Sequence, residues 1–166
     1  MSSAYDPAVW ADFGVAIAGA AAALTGLLFV AVSINLERIL AQPGLPRRAG
    51  STLILLILPL LTAIVLLVPG QPTSALSVEL LALGLVVGAV LVGFNRPGTT
   101  TGQEPAGSWL LARFVPSVLC GVFTVAAGAS LLADAGGGLY WIAPAVVLAF
   151  AAGIGNAWVL LVEILR

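Results

Sequence analysis

Residues 13–34 read FGVAIAGAAAALTGLLFVAVSI, an apolar run without a single charge. A hydrocarbon layer about 30 Å thick is crossed by about 20 residues of helix, so this stretch alone is long enough to span a membrane. Its character is that of the whole chain. Of 166 residues, 61% are hydrophobic and 8% charged, where soluble domains carry roughly a quarter charged residues. The solvent for which this composition is suited is lipid.

Outward from that run, turn-forming residues divide the chain into further apolar segments. The first span opens at Asp6-Pro7, an N-cap acid followed by a proline suited to the first helical position, and extends to about residue 40. At 1.5 Å per residue a helix of that length reaches roughly 50 Å, so it must tilt or project beyond the bilayer. The second span is expected over about 52–68, capped by Ser51 and kinked at Pro59, before Pro69-Gly70-Gln71-Pro72 forces a turn. A third covers about 75–94, a fourth about 109–132 after a cap at Ser108, and a fifth about 140–165. Gly136 to Gly138, ahead of the fifth, reads as a flexible turn. The expected fold is therefore all-α, a single polytopic transmembrane bundle of about five helices with no soluble domain, and no cleavable signal peptide is expected at the charge-poor start of the chain.

The arginines give this bundle a direction. Short cytoplasmic loops retain Lys and Arg, and here Arg38, Arg47 and Arg48 lie between the first and second spans, Arg96 and Arg113 around the third-to-fourth connection, and Arg166 at the end. All six basic residues thus fall on one side of a five-span topology, while the other side carries Asp6, Asp12, Glu79 and Asp134. This predicts an N-terminus outside and a C-terminus in the cytoplasm. Tyr5, Trp10, Tyr140 and Trp141 would anchor the outer boundary and Trp109 the inner one. The absence of lysine and the abundance of Ala, Gly, Val and Leu suit a GC-rich genome and point to a bacterial inner membrane.

Within lipid, helices associate by close backbone approach through small residues. The first span repeats them every four positions as Gly14, Ala18, Ala22 and Gly26, and the fifth does so as Ala145, Ala149, Gly153 and Ala157. The third offers Gly84 and Gly88, and the fourth Ser117, Gly121, Val125 and Ala129. The second is bulky nearly all round, which places it at the periphery. Biased codon usage would raise the same residue types, but it would not space them by four.

Ionisable groups in mid-membrane usually mark function, and none is found there. The polar residues at mid-depth are Thr25, Thr62, Thr124 and Asn156. A threonine hydroxyl can bond a carbonyl one turn back in its own helix, which is a structural role. Asn156 cannot be satisfied that way, so it either bridges helices or, with Thr25 and Thr124, lines a cavity or pore. Near the cytoplasmic boundary, the matching endings Glu37-Arg38 and Glu163 to Arg166 suggest an ion-pair cluster in which Arg113 bridges Glu37 and Glu163.

Several chemistries are excluded by composition. Without lysine or histidine there is no Schiff base, no imidazole ligand and no Ser-His-Asp triad, and one cysteine, Cys120, makes neither a disulfide nor a thiol cluster. We expect no catalytic residue, metal or cofactor, and no nucleic-acid partner. The expected partners are membrane lipid and either copies of the chain or another membrane protein. The function this supports is non-enzymatic self-association, or docking on a larger membrane complex, through the small-residue faces. A passive channel or small-solute permease lined by the mid-membrane Thr and Asn residues, and a binder of lipid or another hydrophobic ligand, are the alternatives.

Ala18 to Asn35 (AGAAAALTGLLFVAVSIN), with Leu45-Pro46-Arg47-Arg48-Ala49 and Leu67-Val68-Pro69-Gly70-Gln71, resembles a group of uncharacterised small multi-pass membrane proteins of high-GC actinobacteria. The likeness covers roughly the first half of the chain. Some members of that group are labelled modulators of the FtsH protease, which implies a regulatory role toward a membrane partner.

Overall fold

The computed structural model describes residues 3–95 and 110–164, and within them the chain is helical without strands. A 3-10 turn, Pro7–Trp10, leads into α1 (Ala11–Ile34), followed by the short α2 (Leu36–Ala41), α3 (Leu45–Leu66) and α4 (Thr73–Phe94). A π-helical segment, Leu110–Phe114, runs into α5 (Val115–Leu132), and a 3-10 turn, Gly138–Trp141, into α6 (Ile142–Ile164). Five helices are long and apolar enough to cross a membrane.

Two boundaries depart from expectation for readable reasons. The first span breaks at Asn35, whose side-chain amide donates to the Ala31 carbonyl at 2.9 Å. The run expected to continue to about residue 40 is therefore divided into α1 and α2. The second span begins at Leu45, seven residues before the expected start. Gly44 adopts φ +90°, a left-handed conformation suited to glycine, and Pro46 sits in the first helical turn. Arg47 and Arg48 are consequently helical, and Ser51 and Thr52 are interior residues whose hydroxyls donate to the Arg48 carbonyl. The helix continues through Pro59. Ser108, Trp109, Arg96 and Arg166 lie outside the described residues.

The helices alternate in direction. The turns at 3–10, 67–72 and 133–141 gather at one end of the bundle, here the tryptophan end, and 35–44, Asn95 and the π segment gather at the other, the arginine end. Arg38, Arg47, Arg48 and Arg113, the described arginines, are all at the latter.

α3, α4, α5 and α6 pack in a ring, with α1 laid outside it along α3. α3 is therefore central, contrary to the peripheral place its bulk suggested. It buries Leu55, Leu56, Leu58, Ala63 and Leu66 to 5% exposure or less. The reason is size complementarity: α3's large side chains enter recesses that glycines open on its neighbours. A Cβ on Gly153 of α6 would lie 2.5 Å from Leu56 Cδ2, and one on Gly14 of α1 3.2 Å from the Leu67 side chain. Burying a leucine against such a site gains dispersion contacts with many atoms at once.

The α4–α5 contact instead brings two glycine faces together. A Cβ at Gly121 would be 3.0 Å from Gly88 Cα, at Gly84 2.8 Å from Val125 N, and at Gly128 2.7 Å from the Ser77 carbonyl oxygen. Gly84, Gly88 and Gly121 thus pack as anticipated. Further along, the face drifts to Gly128, and Ala129 is exposed, because 3.6 residues per turn do not keep a strict four-residue stripe on one side. On α6, Ala145 and Ala149 are buried at 5% and 0% exposure and Gly153 is buried as well.

The first-span ridge is where the packing expectation fails. Gly14 is buried and Ala18 partly so, but Ala22 and Gly26 are exposed. No atom lies within 4 Å of a Cβ built on Gly26 or Gly19. α1 is held through Gly14, Ile17, Ala21 and Leu28, positions of larger or mixed size that meet α3's side chains.

At the tryptophan end the triple glycine is firmly placed, not a loose turn. Leu139 N–H donates to the Ala4 carbonyl at 2.8 Å, Gly137 N–H to the Tyr5 hydroxyl at 3.1 Å and Gly138 N–H to the Ser130 hydroxyl at 2.7 Å. Trp10 Nε1 donates to the Ser3 carbonyl at 2.7 Å, and its ring meets Tyr140 edge-on at 4.9 Å. These bonds clamp the N-terminal segment onto the start of α6. Gly138 has φ +56°, and a Cβ there would lie 2.1 Å from the Ala4 carbonyl oxygen. Gly138→Ala is expected to release that clamp, exposing the N-terminal segment to limited proteolysis and shifting Trp10 fluorescence while the bundle's helicity stays intact.

Candidate functional site

Polar side chains occur in three layers, and each has a separate physical origin. At the arginine end, the early start of α3 sets Arg47 and Arg48 beside the C-termini of α4 and α6. Arg47 Nη2 donates to the Gly93 carbonyl at 2.9 Å and the Phe94 carbonyl at 3.4 Å, which satisfies carbonyls that the end of α4 leaves without intrahelical donors and places a cation at its negative end. Arg48 Nη1 donates to both carboxylate oxygens of Glu163, at 2.8 and 2.9 Å. The arginine is buried at 6% exposure, while the Glu163 side chain is 34% exposed. Nearby, buried Asn95 donates to the Ser117 hydroxyl at 2.9 Å, tying α4 to α5.

The ion-pair cluster expected here is rearranged. Glu163 is taken by Arg48, a residue expected between the first and second spans and found inside α3, and Glu37 is exposed on α2. Arg113 lies on the π segment at the same end, partly buried. The signal for Arg48 was present: Gly44 followed by Pro46 marks a helix start, which puts Arg48 in the first turn, facing the ends of antiparallel neighbours.

At mid-depth the candidates separate. Thr124 donates to the Cys120 carbonyl, and Thr62 to the Leu58 carbonyl, each at 2.8 Å, so both are absorbed by their own helices. Thr25 is the exception: its hydroxyl oxygen is buried with no hydrogen-bond partner. Asn156 is buried at 7% exposure and makes no side-chain hydrogen bond among the described residues. Thr25 follows Trp10, and Asn156 follows Tyr140, by about fifteen residues, roughly 22 Å of helix. Since Trp10 and Tyr140 touch and α1 and α6 run in the same direction, the two polar groups lie at one depth. Thr124 does not join them as an open polar group.

The third layer is at the tryptophan end, where the 3–10 segment and the turn after α3 border a crevice of about 490 Å³. A second, apolar recess of about 530 Å³ follows the α4–α5 glycines, between Gly84, Gly88, Gly121 and Val125.

No family model, curated protein or solved structure matches this chain.

Proposed function

We propose that this chain is a non-enzymatic multi-pass membrane protein that associates with copies of itself, or docks on a larger membrane complex, through the outward face of α1. The observation that carries this reading is the uncovered stripe of Gly19, Ala22, Ala23 and Gly26. Gly84, Gly88, Gly121, Gly128 and Gly153 meet a neighbour, and Gly93 on α4 and Gly155 on α6 are open singly, whereas α1 leaves both Gly19 and Gly26 open with exposed Ala22 and Ala23 between them. In lipid a stripe of small residues gains little from acyl chains but much from a helix backbone. α1 is also the least embedded of the spans, with 17% of its apolar window buried. Gly26→Leu and Ala22→Leu are expected to abolish crosslinked oligomers in native membranes while leaving the melting temperature of the purified protein unchanged. Undiminished crosslinking in both variants would refute the reading.

The same proposal places the arginine end in the cytoplasm of a bacterial plasma membrane, because basic residues are retained on that side. A cysteine at exposed Gln42 then reacts with an impermeant thiol reagent only from the cytoplasmic face.

One observation favours a second reading, a passive small-solute pathway. The Thr25 hydroxyl is buried without a partner, an arrangement that costs about 1–3 kcal/mol unless water or solute reaches it, and Asn156, largely buried, makes no side-chain hydrogen bond among the described residues. Flux into liposomes that disappears in Asn156→Leu, without loss of stability, would favour this reading over association.

A further inference from the structure

The crevice at the tryptophan end is walled by Tyr5, Asp6 and Ala11 on one side and by Leu67, Val68 and Gln71 on the other. Its volume, about 490 Å³, falls within the roughly 300–1,000 Å³ of small-molecule sites. Its polar groups are one carboxylate and the backbone acceptors at the end of α3, beside the uncapped donors of the first turn of α4 at Thr73.

Three features supply acceptors and negative charge here. α3 ends here, and the backbone bonds of its last turn stop at the Val65 carbonyl. Pro69 and Pro72 remove two N–H groups that could have served the carbonyls of Leu66, Leu67 and Val68, and these lie at the negative end of the helix dipole. Gln71 Nε2 donates to the Glu79 carboxylate, which ties this wall of the crevice to a second negative charge. Asp6 accepts one backbone bond, from Ala8 N–H at 3.0 Å, and the described arginines are all at the far end of the bundle.

We propose that this crevice binds a small organic ammonium ion, with the Asp6 carboxylate as its counter-charge and the end of α3 as its acceptor surface. The chemistry selects against a metal ion. Hard cations take six or more oxygen ligands, whereas the walls here are largely Pro, Ala, Leu and Val around one carboxylate, which suits an alkylated or primary ammonium with apolar surface of its own. The crevice lies at the level of the Trp10 and Tyr140 rings, the depth of lipid headgroups. The ammonium can therefore come from a free amine or from an ethanolamine headgroup.

The test uses the purified full chain in nanodiscs of phosphatidylglycerol, which offers no ammonium, titrated with ethanolamine and with choline by calorimetry. Saturable binding of at least one is expected, weakened tenfold or more in Asp6→Asn. That substitution removes the charge and keeps a residue able to cap the Pro7 turn. Val68→Arg, at a position 46% exposed, brings a resident cation to the rim and is expected to weaken binding similarly. This gives a second readout should Asp6→Asn lower the melting temperature. Repeating the titration with phosphatidylethanolamine in the disc identifies the source: loss of ethanolamine binding marks the headgroup as the occupant, and unchanged binding marks the free amine. No saturable binding in phosphatidylglycerol, or equal affinity in wild type and both variants, overturns the proposal.

Discussion

Gly128→Leu and Gly84→Leu are expected to destroy the bundle, with destabilisation above about 3 kcal/mol in detergent denaturation, since overpacking against a backbone that cannot yield lies at the costly end of such substitutions. At Gly128 even the first added carbon would lie 2.7 Å from the Ser77 carbonyl oxygen and 2.8 Å from Leu81 N. At Gly84 it would lie 2.8 Å from Val125 N. In both cases the obstacle is the main chain of the facing helix, so relief requires α4 and α5 to separate along their length. Gly153→Leu is expected to cost less. The atom it meets first is Leu56 Cδ2, the end of a side chain that can change rotamer, although Leu56 is buried at 2% exposure and has little room to do so. Gly26→Leu is expected to leave stability unchanged, because nothing stands within 4 Å. A ranking of Gly128 and Gly84 first, Gly153 next and Gly26 last tests the helix arrangement itself, and equal losses at Gly26 and Gly128 would contradict it.

Glu163→Gln is expected to destabilise the fold more than Arg48→Met does, by about 3 kcal/mol against about 1 kcal/mol. Removing one partner of a buried pair costs about 3–5 kcal/mol because the remaining charge loses its counter-charge where water solvates it poorly, and the two partners are not equally desolvated here. Loss of the carboxylate leaves a guanidinium at 6% exposure. Loss of the arginine leaves a carboxylate whose side chain is 34% exposed and which water continues to solvate. The double substitution Arg48→Met with Glu163→Met is expected to recover most of the stability, as apolar replacements of buried pairs often do. The measurement is a double-mutant cycle of unfolding midpoints. If the two single variants lose equal stability, the asymmetry argued from burial is wrong.

The spans were legible because each is a long apolar run closed by Pro, Gly or Asn, and a bilayer demands about 20 such residues whatever surrounds them. The glycines of α4 and α6 were legible because small residues at helical spacing permit close approach. The same signal misplaced Ala22 and Gly26, since spacing shows that a face can pack without showing what lies opposite. For α3 the error ran the other way. Its bulk was read as a lipid-facing surface, yet those leucines are the side chains that glycines on α1 and α6 make room for. The polar layers divide likewise: Thr124 and Thr62 bond one turn back, as any helical threonine can, while the Arg48–Glu163 pair joins residues 115 positions apart.

By itself, then, the order of residues determined that this protein is helical, that it has five segments able to cross a membrane, and that its described arginines collect at one end. All three follow from local properties, namely hydropathy, helix-breaking residues and chain alternation. Only the tertiary structure decided that α3 is central, that α1 keeps a small-residue face uncovered, and that Glu163 belongs to Arg48. Each of these depends on which surfaces meet across the bundle. In lipid, where every helix is apolar all round, hydropathy does not discriminate between those surfaces and the fit of side chain into recess does.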